Sequence, residues 1–564
     1  MRLVRRIAAG LWVAAALAGA GFLSLPAAAA AQSSQVGMFQ DDASMLTSPG
    51  PTLLTLRELG VGAVRVTLAW NTLAPAQRPP AGFKASDPAS YPAASWSIYD
   101  QIVQDAHADG IAVDFSLTGP APLWASAPGV PAGTPSSYAG AWKPSASAFL
   151  SFVEAVATRY SGSYDPTVGA IVHGSADDLP RVTFWELWNE PNFGQDLAPQ
   201  AIKGSSVPTG APEYRSLLEA GWSALGLTGH GRDTIVIGNL AARGASGKPG
   251  RGRPQGLPGN FGQTKPLQFV RTLYCVDSSY RELRGGAAAA VGCPTNAAGS
   301  RSFRRKNPAL FNANGFATHP YPINKPPTQA SSTDPDFTEF SELPQFAQTL
   351  DRLQRIYGSG KRFPIYNNEY GYITNPPNHS SAHFVSPSTA AYYMNWAEYL
   401  SWRSSRIANS MQFLLYDPNP VKNVPEYGGF ASGLIFYGGA RKPGYNAYRL
   451  PLFLPVTSAR RRQSIEVWGC LRPAHFARLD TAGTPQKVQI QFQRGSSGAF
   501  TTLRTVTVTN TRGYFDLHLT FPANGSVRLA WSYPPDDPLL TPSLIAPGDA
   551  DTVYSRTVTV KVGS

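Results

Sequence analysis

Short apolar segments alternate with amphipathic segments between about residue 35 and residue 450. The apolar segments are rich in β-branched and aromatic residues and lack a clean polar alternation, which is typical of strands that are buried on both faces. This pattern predicts eight strands, at residues 35–40, 63–70, 111–119, 181–189, 233–241, 314–322, 362–371 and 410–418. Apolar stripes with helical spacing predict helices between them, at residues 96–110, 145–162, 211–226, 343–360 and 389–404.

The alternation of strands and helices predicts the α/β class, with a (β/α)8 (TIM) barrel over residues 32–455. A doubly wound sheet is the alternative. It would more naturally place a glycine-rich phosphate-binding turn after the first strand, and residues 37–45, GMFQDDASM, contain no such turn. Residues 242–310 are less regular and are interpreted as a long excursion after the fifth strand, which either shapes the substrate cleft or decorates the surface.

The pattern changes after about residue 455, where apolar and polar residues alternate and turn residues recur at short intervals without any helical spacing. Residues 456–564 are therefore predicted to form a small all-β domain, an antiparallel β-sandwich. Trp468, Trp531 and Tyr533 in this domain either bind carbohydrate, for example in a cell wall, or belong to the core. The core is the commoner place for such rings in a small sandwich.

The length of the chain predicts more than one domain, and its N-terminal segment predicts where the protein is located. The chain has 564 residues, which is too long for one compact domain. Of these residues 43% are hydrophobic, which is enough for a sizeable core. Residues 1–31 combine a basic start, an apolar stretch and the cleavage pattern Ala29-x-Ala31, which predicts a signal peptide. An uncleaved membrane anchor is the alternative, because the apolar stretch is nearly long enough to span a bilayer. We expect a secreted or extracytoplasmic protein with no membrane span after cleavage.

The cysteines, the histidines and the net charge limit which disulfides, cofactors and partners the sequence predicts. In an oxidising compartment Cys275 and Cys293 are the natural disulfide pair and Cys470 is left odd, although spacing alone does not establish the pairing. The 8 histidines are scattered and none has a metal-ligand spacing, so we expect neither a metal nor a cofactor. Despite a net charge of +12, no nucleic-acid-binding module is present, and no nucleic-acid partner is expected.

Two glutamates stand in matching positions after predicted strands. Glu190 follows the fourth strand within VTFWELWNEPNFG (182–194), and Pro191 is expected to keep the chain extended there. Glu369 follows the seventh strand within KRFPIYNNEYGYIT (361–374). Barrel enzymes carry their catalytic groups at the C-terminal ends of the strands, and strands four and seven face each other across the mouth. Two carboxylates so placed are the minimal machinery for glycoside hydrolysis, since one protonates the leaving oxygen and the other attacks the anomeric carbon.

The motifs WELWNEPN (185–192) and IYNNEYGY (365–372), in this order on an alternating β/α pattern, resemble the retaining glycoside hydrolases of clan A. The form FWELWNEPN is most similar to family 39 (β-xylosidase-like), with family 5 (cellulase-like) next. The resemblance covers most of residues 35–450. It implies a hydrolase that cleaves β-linked O-glycosidic bonds of oligo- or polysaccharides by double displacement, with carbohydrate as its partner and no cofactor.

Carried over residue by residue, the resemblance implies a role for each position in the two motifs. Glu190 would be the acid/base, Glu369 the nucleophile, and Asn189 the donor to the sugar 2-hydroxyl. The segment THPYP (318–322) resembles a strand-six motif, which implies that His319 lines the site and Tyr321 hydrogen-bonds the nucleophile. Without that motif, His319 would be interpreted as a polar residue of the core.

Three further positions are expected to shape the site. Arg65, within AVRVTLAW, resembles the strand-two arginine that keeps the nucleophile ionised, and it is otherwise a buried partner of Glu186. Relatives often carry a platform Trp after strand eight, where FLLYDPN offers Tyr416 instead. Trp188 beside Glu190 fits either an aromatic wall for a pyranose ring or the core. The end of strand three, residues 116–124, lacks the histidine of some family 5 members.

Some alternatives stay open at this level. Asp41 and Asp42, at the end of the first strand, either bind substrate or cap the next turn, and we favour the cap. A barrel that binds glycans without cleaving them is a second functional class, although it would have no need of a glutamate pair. A transglycosylase would share the same covalent step. The sugar, the linkage and exo or endo action depend on loop shapes that the sequence does not give.

Overall fold

The computed structural model describes residues 34–75, 78–202, 207–245, 260–379, 384–420, 430–478, 483–534, 540 and 552–563. The predicted signal peptide lies outside these residues. Among the residues that are described, no helix combines the length and the apolar character needed to cross a membrane.

Eight parallel strands form one sheet in the first 413 residues. They are β1 (Val36–Gln40), β2 (Ala63–Ala69), β3 (Ala112–Thr118), β4 (Phe184–Leu187), β5 (Thr234–Ala241), β6 (Gly315–His319), β7 (Ile365–Asn367) and β8 (Asn409–Phe413). Each strand from β1 to β6 pairs with the next in sequence, and β1 also pairs with β8. A parallel bridge between Ile365 and Ile407 brings β7 and β8 together, which closes the ring. The predicted (β/α)8 barrel is confirmed.

The five predicted helices are present as Ala93–Ala108, Ala146–Arg159, Gly210–Leu227, Leu343–Ile356 and Pro387–Arg403. Pro49–Glu58, between β1 and β2, was not predicted, because its opening Pro-Gly-Pro is typical of a turn; a proline is tolerated in the first helical turn, where its missing N–H would have no partner. Shorter helices are Asp42–Met45, Trp70–Leu73, Ser136–Ala139 and Pro443–Arg449, with 3-10 turns at Pro88–Ser90, Leu123–Ala125 and Phe340–Glu342.

The excursion after β5 is described at residues 242–245 and from residue 260 onward, and it carries the helices Pro266–Leu273, Gly285–Ala289, Ala297–Lys306 and Ala309–Asn312. A disulfide joins Cys275 to Cys293, which is the pair expected from the sequence. The two interpretations of the excursion apply to different parts. Its first residues pair with the loop after β4, where Thr264 N–H donates to Asn192 over 2.8 Å, so they form the rim of the mouth. The disulfide-linked part packs away from the mouth, against helix Gly210–Leu227, whose Arg215 donates to the Leu273 carbonyl over 3.0 Å.

The C-terminal region is a β-sandwich of two sheets. One contains Leu452–Phe453, Ser464–Cys470 and Tyr514–Thr520, and the other contains Ser458–Arg460, Lys487–Arg494, Phe500–Thr507, Gly525–Ser532, Thr552–Tyr554 and Val558–Gly563. Two details differ from the expectation of a purely antiparallel sandwich without helix. The strands Ser458–Arg460 and Val558–Gly563 pair in parallel, and a 3-10 helix spans Arg472–Arg478.

The sandwich packs directly on the barrel helix Pro387–Arg403. Arg472 forms an ion pair with Glu398 of that helix, in which Nη2 donates to both carboxylate oxygens over 2.7 Å, and both side chains are buried. Trp468, Trp531 and Tyr533 are 0%, 3% and 5% exposed, so the core interpretation of these rings is confirmed. They offer no face to a glycan, and the expectation of cell-wall contact through them has no support.

Candidate active site

Glu190 and Glu369 face each other at the C-terminal mouth of the barrel, one after β4 and one after β7. Their side chains are 15% and 13% exposed, which leaves both open to the mouth. A carboxylate oxygen of one lies within 4.8 Å of a carboxylate oxygen of the other. The expectation that strands four and seven bring two carboxylates together is therefore met in the geometry.

The backbone that presents Glu190 is not extended, and the prediction from Pro191 was wrong on this point. Trp188 has φ +74° and Glu190 has φ +35°, both in the left-handed region. Two hydrogen bonds from β5 hold this shape: the Glu190 N–H donates to the Asn239 carbonyl over 2.9 Å, and the Asn239 amide donates to the Trp188 carbonyl over 3.0 Å. Such conformations cost on the order of 1–3 kcal/mol each and persist where neighbouring structure over-determines them.

Asn239 stands on a bulge of β5 that the sequence analysis missed. The register with β6 shifts between Ile237 and Leu240, and Gly238 and Asn239 have φ +99° and +46°. A Cβ on Gly238 would come within 2.3 Å of the Phe316 ring, so the bulge requires glycine there. The available signal was the Gly-Asn pair within an otherwise apolar strand, which is typical of a bulge.

Glu369 is held by two hydrogen-bond donors, one to each of its carboxylate oxygens. Arg65 Nη1 donates to Oε1 over 2.8 Å, and the Tyr321 hydroxyl donates to Oε2 over 3.0 Å. Burial, together with the charges of Glu369 and Glu190, raises the pKa of Tyr321 well above its usual range, so its hydroxyl remains a donor. Both contacts are those that the sequence led us to expect.

Arg65 forms hydrogen bonds with five side chains at the floor of the site. Its guanidinium is fully buried and donates to Glu186 (2.7 Å), Gln40 (2.7 Å), Glu369 (2.8 Å), Asn189 (2.9 Å) and Ser116 (3.0 Å). Burial lowers the pKa of Arg65, but the charges of Glu186 and Glu369 outweigh burial and raise it, so the side chain stays charged. The two interpretations of Arg65 are both present in the structure, since it pairs with Glu186 and reaches the nucleophile candidate.

Below Arg65 the barrel interior holds a further carboxyl pair, Asp114 on β3 and Glu186 on β4. Both are fully buried, and neither carboxyl oxygen of Asp114 has a hydrogen-bond partner among the described residues, so this group favours its protonated form. Burial, followed by the charge of Glu186, raises the pKa of Asp114 well above its usual range. Because Glu186 is paired with Arg65 over 2.7 Å, Asp114 is the group that holds the proton.

We expect Asp114→Asn to remove a pH-dependent loss of stability. Asp114 binds its proton more tightly in the folded protein than in the unfolded chain, so its stabilising contribution is fully present below about pH 4 and is lost as the pH rises toward the folded-state pKa. Asn stays neutral at every pH. Relative to wild type, the free energy of unfolding of the variant should therefore rise by about 1.4 kcal/mol per pH unit in that window.

Thermal unfolding of the two proteins across a pH series measures this difference. Asp177→Asn, which removes a carboxylate on the exposed surface, is the matched control and should show no such trend. An offset between Asp114→Asn and wild type that stays constant with pH would contradict the protonated state of Asp114.

His319 links the two glutamates. Its Nδ1 lies 2.9 Å from Glu190 Oε1 and 3.5 Å from Glu369 Oε2, and its ring is fully buried. Nδ1 donates to an ionised Glu190 or accepts from a protonated one, so the contact survives both states that an acid/base must adopt. Its Nε2 has no hydrogen-bond partner among the described residues.

The same three side chains, Glu190, His319 and Glu369, are also the only group among the described residues with ligand atoms close enough to suggest a metal ion. The donor chemistry does not fit one. Both oxygens of Glu369 already accept hydrogen bonds, from Arg65 and Tyr321, and a divalent cation would lie against a buried guanidinium of the same charge. The expectation of no metal and no cofactor stays a prediction.

The Asn189 side chain faces the mouth of the barrel, whereas the Trp188 ring belongs to the core. The Asn189 Oδ1 accepts from Arg65 over 2.9 Å, which turns its Nδ2 toward the mouth and toward Asp196, 3.5 Å away. The Trp188 ring is 0% exposed and packs edge-on against Phe149 with ring centroids 5.2 Å apart. It therefore belongs to the core, and the structure does not bring it to the cleft as a wall for sugar.

Tyr416 follows β8 at the edge of an open groove of about 480 Å³ between the loops after β1 and β8. Its ring is 38% exposed, and Tyr437, 54% exposed, lines the same groove. Asp41 fixes the groove: its carboxylate accepts from Ser44 N–H, as the predicted cap, and from the N–H groups of Leu415 and Tyr416, each over 3.0 Å. The cap interpretation of Asp41 is confirmed.

Asp42 is not a cap. It accepts from the Thr67 backbone N–H over 2.9 Å and from the Thr67 hydroxyl over 2.7 Å, and from the side chain of Gln40 over 2.8 Å. Gln40 in turn accepts from Arg65. Asp42 therefore supports the floor of the site from behind.

The fold and the site define a (β/α)8 barrel with paired carboxylates at its mouth. No family model and no curated protein matches the chain. Similar solved structures include a glucosidase from Croceicoccus marinus (12% identity, TM-score 0.42, covering 87% of this chain and 94% of that one), a β-glucosidase from Thermotoga maritima (13%, 0.42, 74% and 96%), and an exo-β-1,4-mannosidase from Opitutaceae bacterium strain TAV5 (15%, 0.39, 73% and 58%). Likeness at this level says nothing of activity, so function is argued from the side chains at the mouth.

Proposed function

We propose that the protein is a retaining glycoside hydrolase that cleaves β-linked O-glycosidic bonds of oligo- or polysaccharides. One observation carries the proposal: the carboxylates of Glu190 and Glu369 approach within 4.8 Å, oxygen to oxygen. Retaining enzymes place their carboxyl groups about 5–5.5 Å apart, whereas inverting enzymes need about 6.5–9.5 Å to admit a water between them. The surroundings of the two groups assign the roles.

Glu369 is the nucleophile because its donors, Arg65 and Tyr321, favour the ionised form and aim the carboxylate at the mouth. It attacks the anomeric carbon and forms a glycosyl ester, while Glu190 donates its proton to the leaving oxygen. In the second step Glu190 takes a proton from water, and the water oxygen displaces Glu369 from the anomeric carbon. The anomeric configuration is inverted twice and so is retained. Asn189, fixed by Arg65, donates to the sugar 2-hydroxyl.

The substrate class is supported by a groove on the C-terminal face, beside the loops after β1 and β8. The groove beside Tyr416 and Tyr437 continues the C-terminal face between the loops after β1 and β8, and exposed tyrosine rings are suited to stacking on pyranose faces. A groove of this size favours a substrate with more than one sugar unit. The identity of the sugar, whether xylose, glucose or mannose, stays open within this proposal, as does the assignment to family 39 or family 5.

The stereochemistry of the first product tests the proposal. The full chain is incubated with a panel of β-aryl glycosides and β-linked oligosaccharides of increasing length, and any hydrolysis is followed by ¹H NMR from the first minutes. We expect the β-anomer of the released sugar to appear before mutarotation. Initial release of the α-anomer would overturn the retaining mechanism, and binding of the same oligosaccharides without cleavage would favour a glycan-binding barrel.

We also propose that the protein acts outside the cytoplasm. The Cys275–Cys293 disulfide supports this, since such bonds persist in oxidising compartments. N-terminal sequencing of protein recovered from the medium or periplasm of an expressing bacterium should begin at Gln32, after the predicted cleavage site. Recovery of the full-length chain in the membrane fraction would favour an anchor instead.

A further inference from the structure

The larger sheet of the C-terminal sandwich has one buried face and one open face. In the strand Lys487–Arg494, buried apolar residues alternate with polar residues that are exposed or half-buried. We call the open side of this sheet the outer face. Its centre is formed by six exposed or half-buried side chains from four neighbouring strands, Gln489, Gln491, Phe500, Thr502, Arg528 and Tyr554. A chain that lies across these strands would meet polar and aromatic side chains together.

The strands of this sheet carry positive charge only. Their sequences contain no Asp or Glu and six basic residues, Arg460, Lys487, Arg494, Arg504, Arg528 and Lys561. The acidic residues of the sandwich strands, Glu466 and Asp516, both lie on the smaller sheet. A surface with one sign of charge attracts partners of the opposite sign, so the larger sheet favours an anionic partner.

Arg528 lies at the centre of the outer face, against two aromatic rings. Its guanidinium carbon is 3.9 Å from the centroid of the Phe500 ring and 3.8 Å from the centroid of the Tyr554 ring. Its Nε donates to the side-chain oxygen of Gln491 over 2.9 Å, and its two terminal nitrogens make no hydrogen bond to a described residue. A guanidinium held in this way presents the terminal N–H groups as a fixed fork, which matches the two oxygens of a carboxylate.

The groups around Arg528 are suited to a sugar. The Tyr554 side chain is 37% exposed, and an exposed aromatic ring packs well against the C–H groups of a pyranose. The side-chain oxygen of Gln489 accepts from Gln491 and from the Thr502 hydroxyl, each over 3.0 Å. These two bonds fix which end of the Gln489 amide is the oxygen, so its N–H₂ group is left as a donor for a hydroxyl.

We propose that the outer face binds an acidic polysaccharide, with a sugar carboxylate on the Arg528 fork and a sugar ring against Tyr554. The charge of the sheet favours a polyanion, and the fork selects a carboxylate. The exposed ring and the amides select a sugar over another polyanion. This inference goes beyond the proposed function, because binding at the outer face does not require that the barrel cleaves glycosides.

Matched probes separate the sugar from its charge. Polygalacturonate, alginate and hyaluronate carry carboxylates on sugars, their fully methyl-esterified forms keep the sugar chain without that charge, and polyglutamate carries carboxylates without sugar. Binding to the full chain is measured by titration calorimetry in the Glu369→Gln background, so that no probe is consumed. We expect one or more of the three uronates to bind about tenfold more tightly than its methyl ester and than polyglutamate, since a hydrogen bond to a charged group contributes about 1.5–3 kcal/mol.

Variants of the outer face locate the binding. Arg528→Lys keeps the charge and loses the fork, and it should weaken uronate binding by about tenfold. Tyr554→Ala should weaken binding of the uronate more than binding of polyglutamate. Arg305→Gln, which removes a positive charge from the exposed side of helix Ala297–Lys306, is the control for net charge and should bind as the parent does. Thermal unfolding of each variant checks that the sandwich is folded, because a role of Arg528 in packing alone would lower the Tm and leave the affinity unchanged.

Four outcomes would overturn the proposal. They are the failure of all three uronates to bind, equal affinity for polyglutamate, equal affinity for vesicles of anionic phospholipid, and uronate binding that Arg528→Lys and Tyr554→Ala leave unchanged. The second and third would assign the outer face to polyanions in general or to a membrane surface, and the fourth would place the glycan elsewhere on the protein. A wild-type protein that cleaves no glycoside but binds a uronate through Arg528 would overturn the proposed function and leave this inference standing.

Discussion

Glu369→Gln is expected to lower kcat by about 10⁵-fold or more, because the amide cannot attack the anomeric carbon and no other carboxylate among the described residues groups with Glu190 and His319. The amide has the shape of the carboxylate, but its N–H₂ end would face either Arg65 or Tyr321, both of which are donors. The fold should tolerate this, since Glu369 is at the open mouth with a side chain that is 13% exposed. Initial rates with the best aryl glycoside of the panel measure the loss.

Covalent trapping of the glycosyl-enzyme tests the same prediction through a change in mass. Wild type treated with a 2-deoxy-2-fluoro glycoside should gain the mass of one glycosyl group, and peptide mapping should place it on Glu369. Glu369→Gln should gain none. Glu154→Gln, an equivalent change on the barrel helix Ala146–Arg159, is the control and should label normally. Turnover by Glu369→Gln within about tenfold of wild type would show that another group is the nucleophile.

Glu190→Ala is expected to lose about 10²–10⁴-fold in turnover of substrates with poor leaving groups, because these require a proton in the first step. Substrates with a dinitrophenolate leaving group need little acid, so with them the glycosyl-enzyme should form and then accumulate. The space left by the Glu190 carboxylate lies within 4.8 Å of Glu369, next to the ester, and gives a small anion access to the anomeric carbon.

Azide tests this geometry directly. Added azide should speed the Glu190→Ala reaction by about tenfold or more and give a β-glycosyl azide, the retained configuration. Wild type should not respond, because its carboxylate repels the anion. Rescue of Glu190→Ala that yields the α-glycosyl azide would assign Glu190 as the nucleophile and exchange the roles of the two glutamates.

The elements that the sequence predicted best are those set by burial over many residues. Seven of the eight barrel strands lie within the predicted segments and β8 begins one residue before its segment, because strands covered on both faces must be apolar throughout. Glu190 and Glu369 could be predicted for the opposite reason, since each places a charge where such a strand ends. The position along the strand, not the glutamate itself, carries that information.

The sequence analysis missed residues whose roles depend on the backbone conformation and on contacts between residues that are distant in the chain. Asn239 supports Glu190 from a bulge in β5, and a strand pattern does not specify how a bulge turns its side chain. Asp196 lies in a loop whose path depends on the burial of Trp188. Trp188 itself was compatible with cleft or core, and the packing against Phe149 decided for the core. Local sequence does not determine the bulge, the loop path or the packing of Trp188, because each depends on contacts with residues distant in the chain.

The attachment of the sandwich fixes its position relative to the mouth of the barrel. Only Leu450 and Pro451 separate the last barrel helix, Pro443–Arg449, from the first sandwich strand, Leu452–Phe453. A module on a flexible tether lets a catalytic domain sweep an area of a polymer surface from one anchoring point. Here the Arg472–Glu398 pair holds the sandwich on the barrel helix Pro387–Arg403. If the proposed hydrolase acts on a polymer, the mouth of the barrel keeps one orientation relative to the sandwich, so new bonds are reached when the whole molecule moves.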